Sequence, residues 1–477
     1  NTDPTTRTRS FNMQFRNGKP NYSIRRQLAY FGEAMIGWNN ALFLTYSHRF
    51  ETNSIFPANS RQYNYPAGGI SAILSDLIPG LKSIKGFEYW KVRASLANTA
   101  RAAGPYSNQS SFNFNTGSGG GFYYDFTNAN PFLTPERQST YEVGTEFRLF
   151  DNRLNIDASF YNTTNNNLIV QSFRLSYGTG FVLNTMNIGA INNKGLEISL
   201  GAVPVKTNNF RWNTRFNFNK MWNEIIELPS NIPEFYISDT WMYDNARGGG
   251  SLGMPTTTIT GYGYTRNDAG DILINPATGL PIIDANFKIR GDRNPDFTLG
   301  WVNSLSYKNF NLNMLWDLKM GGDIFNATEM YLTDMGRSLR TADRMTPRVI
   351  DGVLNDGLQS TTNPTRNTIV VSPYHQNAYY TALPVEEFIQ KDVNWFRLRD
   401  ITLSYMFDKN RLAPLKHVKS LTAFVTLTDP VLITNYRGAD PQVNGNTSGS
   451  SGVGGFGFDY GNVGMPLGIN IGFRAGF

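Results

Sequence analysis

The fold class this sequence predicts is all-β: an antiparallel transmembrane β-barrel to which the chain contributes about 13 strands. Three observations point there. Segments of membrane-strand length alternate apolar and polar residues, the connections between them are alternately short and long, and aromatic residues make up 14% of the chain. A strand with lipid on one side and water on the other must alternate with period 2. A spanning helix needs roughly 20 consecutive apolar residues, and no stretch of this chain approaches that.

Along the chain, segments near 27–38, 40–52, 63–74 and 87–99 carry the alternation loosely. It then sharpens. Tyr141, Val143, Phe147 and Leu149 interleave with Glu142, Gly144, Glu146 and Arg148; Leu154, Ile156, Ala158 and Phe160 interleave with Asn155, Asp157 and Ser159. Leu196, Ile198 and Leu200 oppose Glu197 and Ser199, which predicts the first three toward lipid and the last two toward the lumen. Phe210, Trp212, Phe216 and Phe218 oppose Arg211, Asn213, Arg215 and Asn217, and Phe310, Leu312, Met314, Trp316 and Leu318 oppose Asn311, Asn313, Asp317 and Lys319. Segments near 296–307, 393–407 and 418–428 fit less cleanly. The last segment is the clearest: Met465, Leu467, Ile469, Ile471, Phe473, Ala475 and Phe477 face Pro466, Gly468, Asn470, Gly472, Arg474 and Gly476.

With these boundaries, the long connections (53–62, 100–138, 165–191, 223–295, 322–392 and 429–464) alternate with shorter ones. A C-terminus on the periplasmic side puts every long connection outside the cell and every short turn inside, the asymmetry expected of outer-membrane barrels. Two connections exceed about seventy residues, a length that compact domains tolerate only for function or disorder. A barrel must close, because unpaired edges cannot sit in lipid. An odd strand count whose first strand enters from outside therefore predicts either further strands upstream or a strand number other than 13.

Composition narrows the function classes. The net charge of +6, from 43 basic and 37 acidic residues, is spread without a basic run, which gives no support to nucleic-acid binding. With no Cys, the chain has neither a disulfide framework nor thiol chemistry. The three histidines, His48, His375 and His417, are far apart, and no metal site is expected. Gly248, Gly250 and Gly253 match G-x-G-x-x-G outside any βαβ unit and read as loop freedom. Asn267, Asp268, Gly270 and Asp271 lack the later Glu of a calcium loop and read as a tight turn. Paired carboxylates on a lumen wall are ordinary solvated surface, so neither an enzyme nor a cofactor is expected. The N-terminus, Asn1-Thr2-Asp3-Pro4, carries no Met, charged n-region or apolar h-region, so any export signal is expected upstream or already removed.

Several stretches resemble the SusC-like branch of TonB-dependent outer-membrane transporters. These are Asn130-Pro131, Pro135-Glu136 and Ser139 to Gly144; Asn187-Ile188-Gly189 through Asn193-Lys194-Gly195-Leu196-Glu197; Gly291 to Phe297; Phe396 to Leu403; and Tyr436 to Pro441. The terminal Phe477, closing an amphipathic strand, resembles the assembly signal of bacterial outer-membrane barrels. The resemblance implies that residues 1–477 are the C-terminal part of one 22-stranded barrel domain, with the plug, the TonB-contacting segment and the first strands absent from this chain. It implies TonB-dependent import of a large nutrient, oligosaccharide or oligopeptide, across the outer membrane. The implied partners are a SusD-like surface lipoprotein as lid, the TonB complex and the lipid bilayer. A passive porin and a structural or adhesive barrel remain the alternatives. Loop aromatics offer broad faces with polar tips to a glycan or peptide, which makes Tyr123, Tyr124, Trp241, Tyr243, Tyr379 and Tyr380 the candidate substrate contacts.

Overall fold

A computed structural model describes residues 24–110, 112–115, 120–174, 181, 183–230, 232, 234–239, 246–408, 417–443 and 455–477. Thirteen long strands form one antiparallel sheet in strict sequence order. They are β1 (Gln27–Trp38), β2 (Leu42–Asn53), β3 (Gln62–Ile73), β4 (Phe87–Arg101), β5 (Glu136–Leu149), β6 (Leu154–Arg174), β7 (Leu183–Lys206), β8 (Phe210–Glu227), β9 (Phe297–Tyr307), β10 (Phe310–Met320), β11 (Trp395–Met406), β12 (Ser420–Thr434) and β13 (Gly468–Gly476). Each of the 13 segments read from the sequence is a strand of this wall. Among the described residues no helix is long and apolar enough to cross a membrane.

The register makes the two faces chemically distinct. Directly opposed residues of an antiparallel pair point to the same side, so cross-strand partners can be followed as rows. One row runs Ile156, Leu200, Phe216, Trp301, Trp316, Leu398 and Val431. Another runs Met314, Ile401, Leu427 and Ile469. Phe216, Trp301, Trp316 and Phe396 stack successively, with centroids 5.5, 6.4 and 4.6 Å apart. On the other face Glu197 and Ser199 meet Ser159 and Asp157 on one side and Asn219 and Asn217 on the other. Arg93 on β4 reaches over β5 to Asp157 on β6 in a bidentate pair at 2.9 and 3.2 Å. The apolar face therefore belongs to lipid and the polar face to the lumen, with Leu196, Ile198 and Leu200 on the first.

Within the apolar band of the lipid face, Thr145, Thr214 and Asn303 each accept a hydrogen bond from an indole. Trp90 donates to Thr145 at 3.0 Å, Trp301 to Thr214 at 2.9 Å, and Trp212 to the side-chain oxygen of Asn303 at 3.1 Å. These pairs satisfy donor and acceptor together where no water is available.

Short turns close one end. Asn39 and Asn40 both take positive φ between β1 and β2, the geometry of a tight hairpin turn. At the other end, β6 and β7 run well past the expected boundary, so most of 165–191 is paired strand rather than loop. Asp429 sits at positive φ in a bulge that breaks the β11–β12 register opposite Arg399, where Pro430 cannot donate to the ladder.

Candidate functional site

Above the wall, at the end where β8, β10 and β12 finish, the long connections pack on one another as a folded crown. Its main core draws Ala246, Ile259 and Tyr264 from the 228–296 connection, with Phe325, Met330, Tyr380, Val385 and Phe388 from the 321–394 connection. Phe458, after β12, completes it. The helix α1 (Ala327–Asp334) starts where Asn326 caps the backbone N–H of Glu329 at 2.8 Å, and it buries Ala327, Met330 and Thr333.

A polar hub ties this crown to the wall. Arg293 is 2% exposed, donates to the carbonyls of Thr257 at 3.0 Å and Phe456 at 2.9 Å, and lies against the rings of Phe456 and Phe458. Burial pulls its pKa down to about 10, which leaves it charged at neutral pH. Asp323 accepts from the backbone N–H of Asp292 at 2.8 Å and from Lys391 at 2.9 Å. Asp459 accepts from Thr328 and from the Tyr436 hydroxyl, each at 2.7 Å. Burial and the Asp459 charge drive the Tyr436 phenol well above its ordinary range. In the wall itself Arg397, 2% exposed, pairs with Asp429 at 3.1 Å and with Asp440. Burial disfavours charge on Asp440, but Arg397 and the N–H groups of Gln442 and Met465 outweigh it and hold that carboxyl below its usual range. Of the stretches noted in the sequence for their resemblance, 396–403 and 436–441 thus meet in the Arg397–Asp440 pair, while 291–297 packs through Arg293 on Phe458, next to the Asp459 that Tyr436 binds.

Other motif residues are also structural. Asn187 staples the crown to β7, exchanging hydrogen bonds at 2.9 Å with both N–H and C=O of Thr134. Gly189 has φ 59°, and a Cβ there would lie 2.1 Å from the Glu227 carbonyl oxygen. Gly250, read from sequence as loop freedom, lies in a short strand, Arg247–Ser251, where a Cβ would meet Ile225 at 2.2 Å. Close approach is its reason, not mobility. Asn267 to Asp271 form a tight turn: the Gly270 N–H donates to the Asn267 carbonyl at 3.0 Å, and the Asp271 N–H to the Asn267 side chain at 2.8 Å.

The six aromatic candidates have different settings. Tyr123 and Tyr124 lie on a small hairpin, Phe112–Asn115 with Gly121–Tyr124, and are 49% and 53% exposed. Tyr124 packs against Phe112 and Phe181 at 5.2 and 4.8 Å. Tyr379 is half-buried and Tyr380 buried, and the Arg348 guanidinium lies 5.1 and 5.3 Å from their ring centres. The Tyr380 hydroxyl donates to Asp343 at 3.0 Å. Trp241 and Tyr243 lie outside the described residues.

Sequence reading missed a cavity of about 890 Å³ between the 321–394 connection and the segment following β12. Glu329, Arg340, Glu387, Lys391 and Arg437 line it, with Phe388 and Ile389 on its apolar side. Its size is that of a small-molecule or peptide pocket. Its charged residues come from stretches without periodicity, so nothing in the linear order grouped them. Among the described residues no three His, Asp or Glu side chains gather as a metal site.

A lipid-facing antiparallel wall, turned short at one end and crowned by packed loops at the other, defines an outer-membrane β-barrel of the receptor type. The chain belongs to the TonB dependent receptor-like, beta-barrel family, whose model matches residues 1–327. It is 26% identical to TonB-dependent receptor P3 of Formosa agariphila over 93% of this chain and 45% of that protein. It is 22% identical to TonB-dependent receptor SusC of Bacteroides thetaiotaomicron over 88% of this chain and 42% of that protein. In fold it matches the structure of the RagAB peptide transporter with a TM-score of 0.72, at 18% identity, over 94% of this chain and 48% of that one. The chain spans about half the length of the curated relatives it matches.

Proposed function

We propose that this chain is the C-terminal part of a TonB-dependent importer that carries a large nutrient across the outer membrane. In this reading the crown receives the nutrient beneath a SusD-like surface lipoprotein. The other half of the full protein supplies the plug, the TonB-contacting segment and the strands that complete a 22-stranded barrel. Family membership carries the proposal. The crown supports it, because a passive pore does not require loops folded around their own core and holding a cavity of binding-site size.

Of the two nutrient classes, the cavity favours oligopeptide. Its lining offers both signs of charge, from Arg340, Lys391 and Arg437 and from Glu329 and Glu387, and its apolar side includes no exposed aromatic platform. Charged chain ends and amides match that lining better than a neutral glycan does. Tyr123 and Tyr124 are the exposed aromatics proposed as outer contacts, and Tyr379, Tyr380, Trp241 and Tyr243 stay proposals of the same kind.

The test is uptake of labelled oligopeptides and oligosaccharides by cells with the full protein, with and without a working TonB complex. Peptide uptake that needs both the protein and TonB is expected. Uptake that continues without TonB would return the protein to the porin reading. Uptake of glycans alone would overturn the peptide assignment but leave the importer standing.

A further inference from the structure

The lipid face of the wall is not uniform. Two cross-strand rows cross it side by side from β2 to β8. The first runs Leu44, Ile70, Ala94, Val143, Phe160, Leu196 and then Lys220; the second runs Tyr46, Gly68, Leu96, Tyr141, Asn162, Lys194 and then Trp222. Strands in such barrels tilt by about 35–45°, so rows that begin near the short turn at β2 rise toward the crown by β8. Both lysines therefore stand at the upper rim of the apolar band, on its outer side. Trp222 is 44% exposed, and the Lys220 ammonium lies 5.3 Å from its ring centre, the amphipathic pairing typical of a membrane interface.

Below them the wall is hollowed. Gly68, Ala72, Ala94 and Ala158 leave two adjoining depressions of about 730 and 530 Å³, bounded by larger side chains such as Tyr46, Tyr141, Phe160 and Leu196. Leu196 lines the second depression and is the direct cross-strand partner of Lys220, so apolar hollow and cationic rim are continuous. The charged neighbour on the same face is Glu224, opposite Asn192, which lies further toward the crown than either lysine. Between it and the apolar band the lysines are the charged groups on β7 and β8.

We propose that this hollow and its lysine rim form a fixed site for a phosphorylated, acylated lipid of the outer leaflet. The acyl chains occupy the depressions floored by Gly68, Ala94 and Ala158, and the phosphate lies against Lys194 and Lys220. An apolar groove on a lipid-facing wall takes acyl chain, and two cations at its upper end attract an anion at headgroup height. The site stands apart from import, since it lies on the opposite face from the lumen and does not depend on which nutrient crosses.

The experiment uses the full-length protein purified from outer membranes and reconstituted with lipid A carrying its phosphates, or with the dephosphorylated form. Retained lipid is read by native mass spectrometry. Retention of the phosphorylated form should exceed that of the dephosphorylated form by about tenfold or more. The K194E/K220E double variant should lose that preference, and Ala94→Phe, which fills the groove, should lower retention of both forms. Equal retention of the two lipids by the unaltered protein overturns the proposal and needs no variant that might misfold. Unchanged retention in Ala94→Phe overturns the groove as the acyl site. Displacement of the lipid preference by inorganic phosphate alone would show a free-anion site instead.

Discussion

Arg397 and Asp440 are 2% and 4% exposed and face each other where the wall meets the crown. A buried charge left without its partner costs more than the pair contributes, so Asp440→Ala should destabilise this junction by about 3–5 kcal/mol. Limited proteolysis of the purified protein should then cut the 435–467 connection much faster; an unchanged cutting rate would contradict the pairing. Acid should act on the same bond. The Asp440 carboxyl lies below its ordinary value of 3.8 in the folded protein. Its contribution is therefore complete above about pH 3.8 and is lost as pH falls through the lower folded value. Protection of the Arg397 region in hydrogen exchange should stay flat across neutral pH and drop only in strong acid. Gly189 is constrained differently, by its positive φ and by the Glu227 carbonyl 2.1 Å from a Cβ. Gly189→Ala would have to part β7 from β8 at that point.

The strands show why part of the fold was legible and part was not. Ile198 lies between Ala158 and Phe218 on the lipid face, and Glu197 between Ser159 and Asn219 on the lumen face. Ile198→Arg should cost about 2–4 kcal/mol in membrane-inserted stability, while Glu197→Arg should cost little. A larger cost for Glu197→Arg than for Ile198→Arg in urea unfolding from vesicles would mean the faces are reversed. This separation could be read from the sequence because lipid on one side enforces period 2. Above the membrane the enforcement stops: Asn162, Asn165, Asn166 and Asn192 are polar on both faces, and the alternation fades although the β6–β7 ladder continues. The same limit applies to the site. Aromatic residues stood out in composition, but composition does not separate Tyr380, held in the crown core, from Tyr124, exposed on its hairpin. Arg293 meets Phe456 across 163 residues, a contact no local spacing announces. Phe477 is 76% exposed at the end of β13, whose Phe473 and Ile469 share the apolar face. Its deletion should lower the amount of folded, heat-modifiable protein in the outer membrane more than the stability of what is already assembled. Normal assembly without it would remove its role as an assembly signal.

At the scale of the molecule, β1 and β13 each carry one edge without a strand partner among the described residues. Such edges cannot remain open in hydrocarbon, and in the proposed reading the remaining half of the protein supplies the strands that cover them. Orientation then follows from chain direction. With the C-terminal end of β13 on the periplasmic side, as expected of outer-membrane barrels, β7 and β8 turn on that same side and the crown is expected outside the cell. Because the chain has no cysteine, a single substitution introduces the one thiol within it, and cells with the unsubstituted full protein give the labelling background. Leu339 is 90% exposed in the crown, and Asn208 is exposed in the short turn between β7 and β8. With a membrane-impermeant maleimide on intact cells, Leu339→Cys should label at once. Asn208→Cys should label only after the outer membrane is permeabilised. Neither position belongs to a buried contact, so both variants should assemble normally. Labelling in the opposite order would invert the topology, place the long connections in the periplasm, and remove the crown from any part in capturing a nutrient outside the cell.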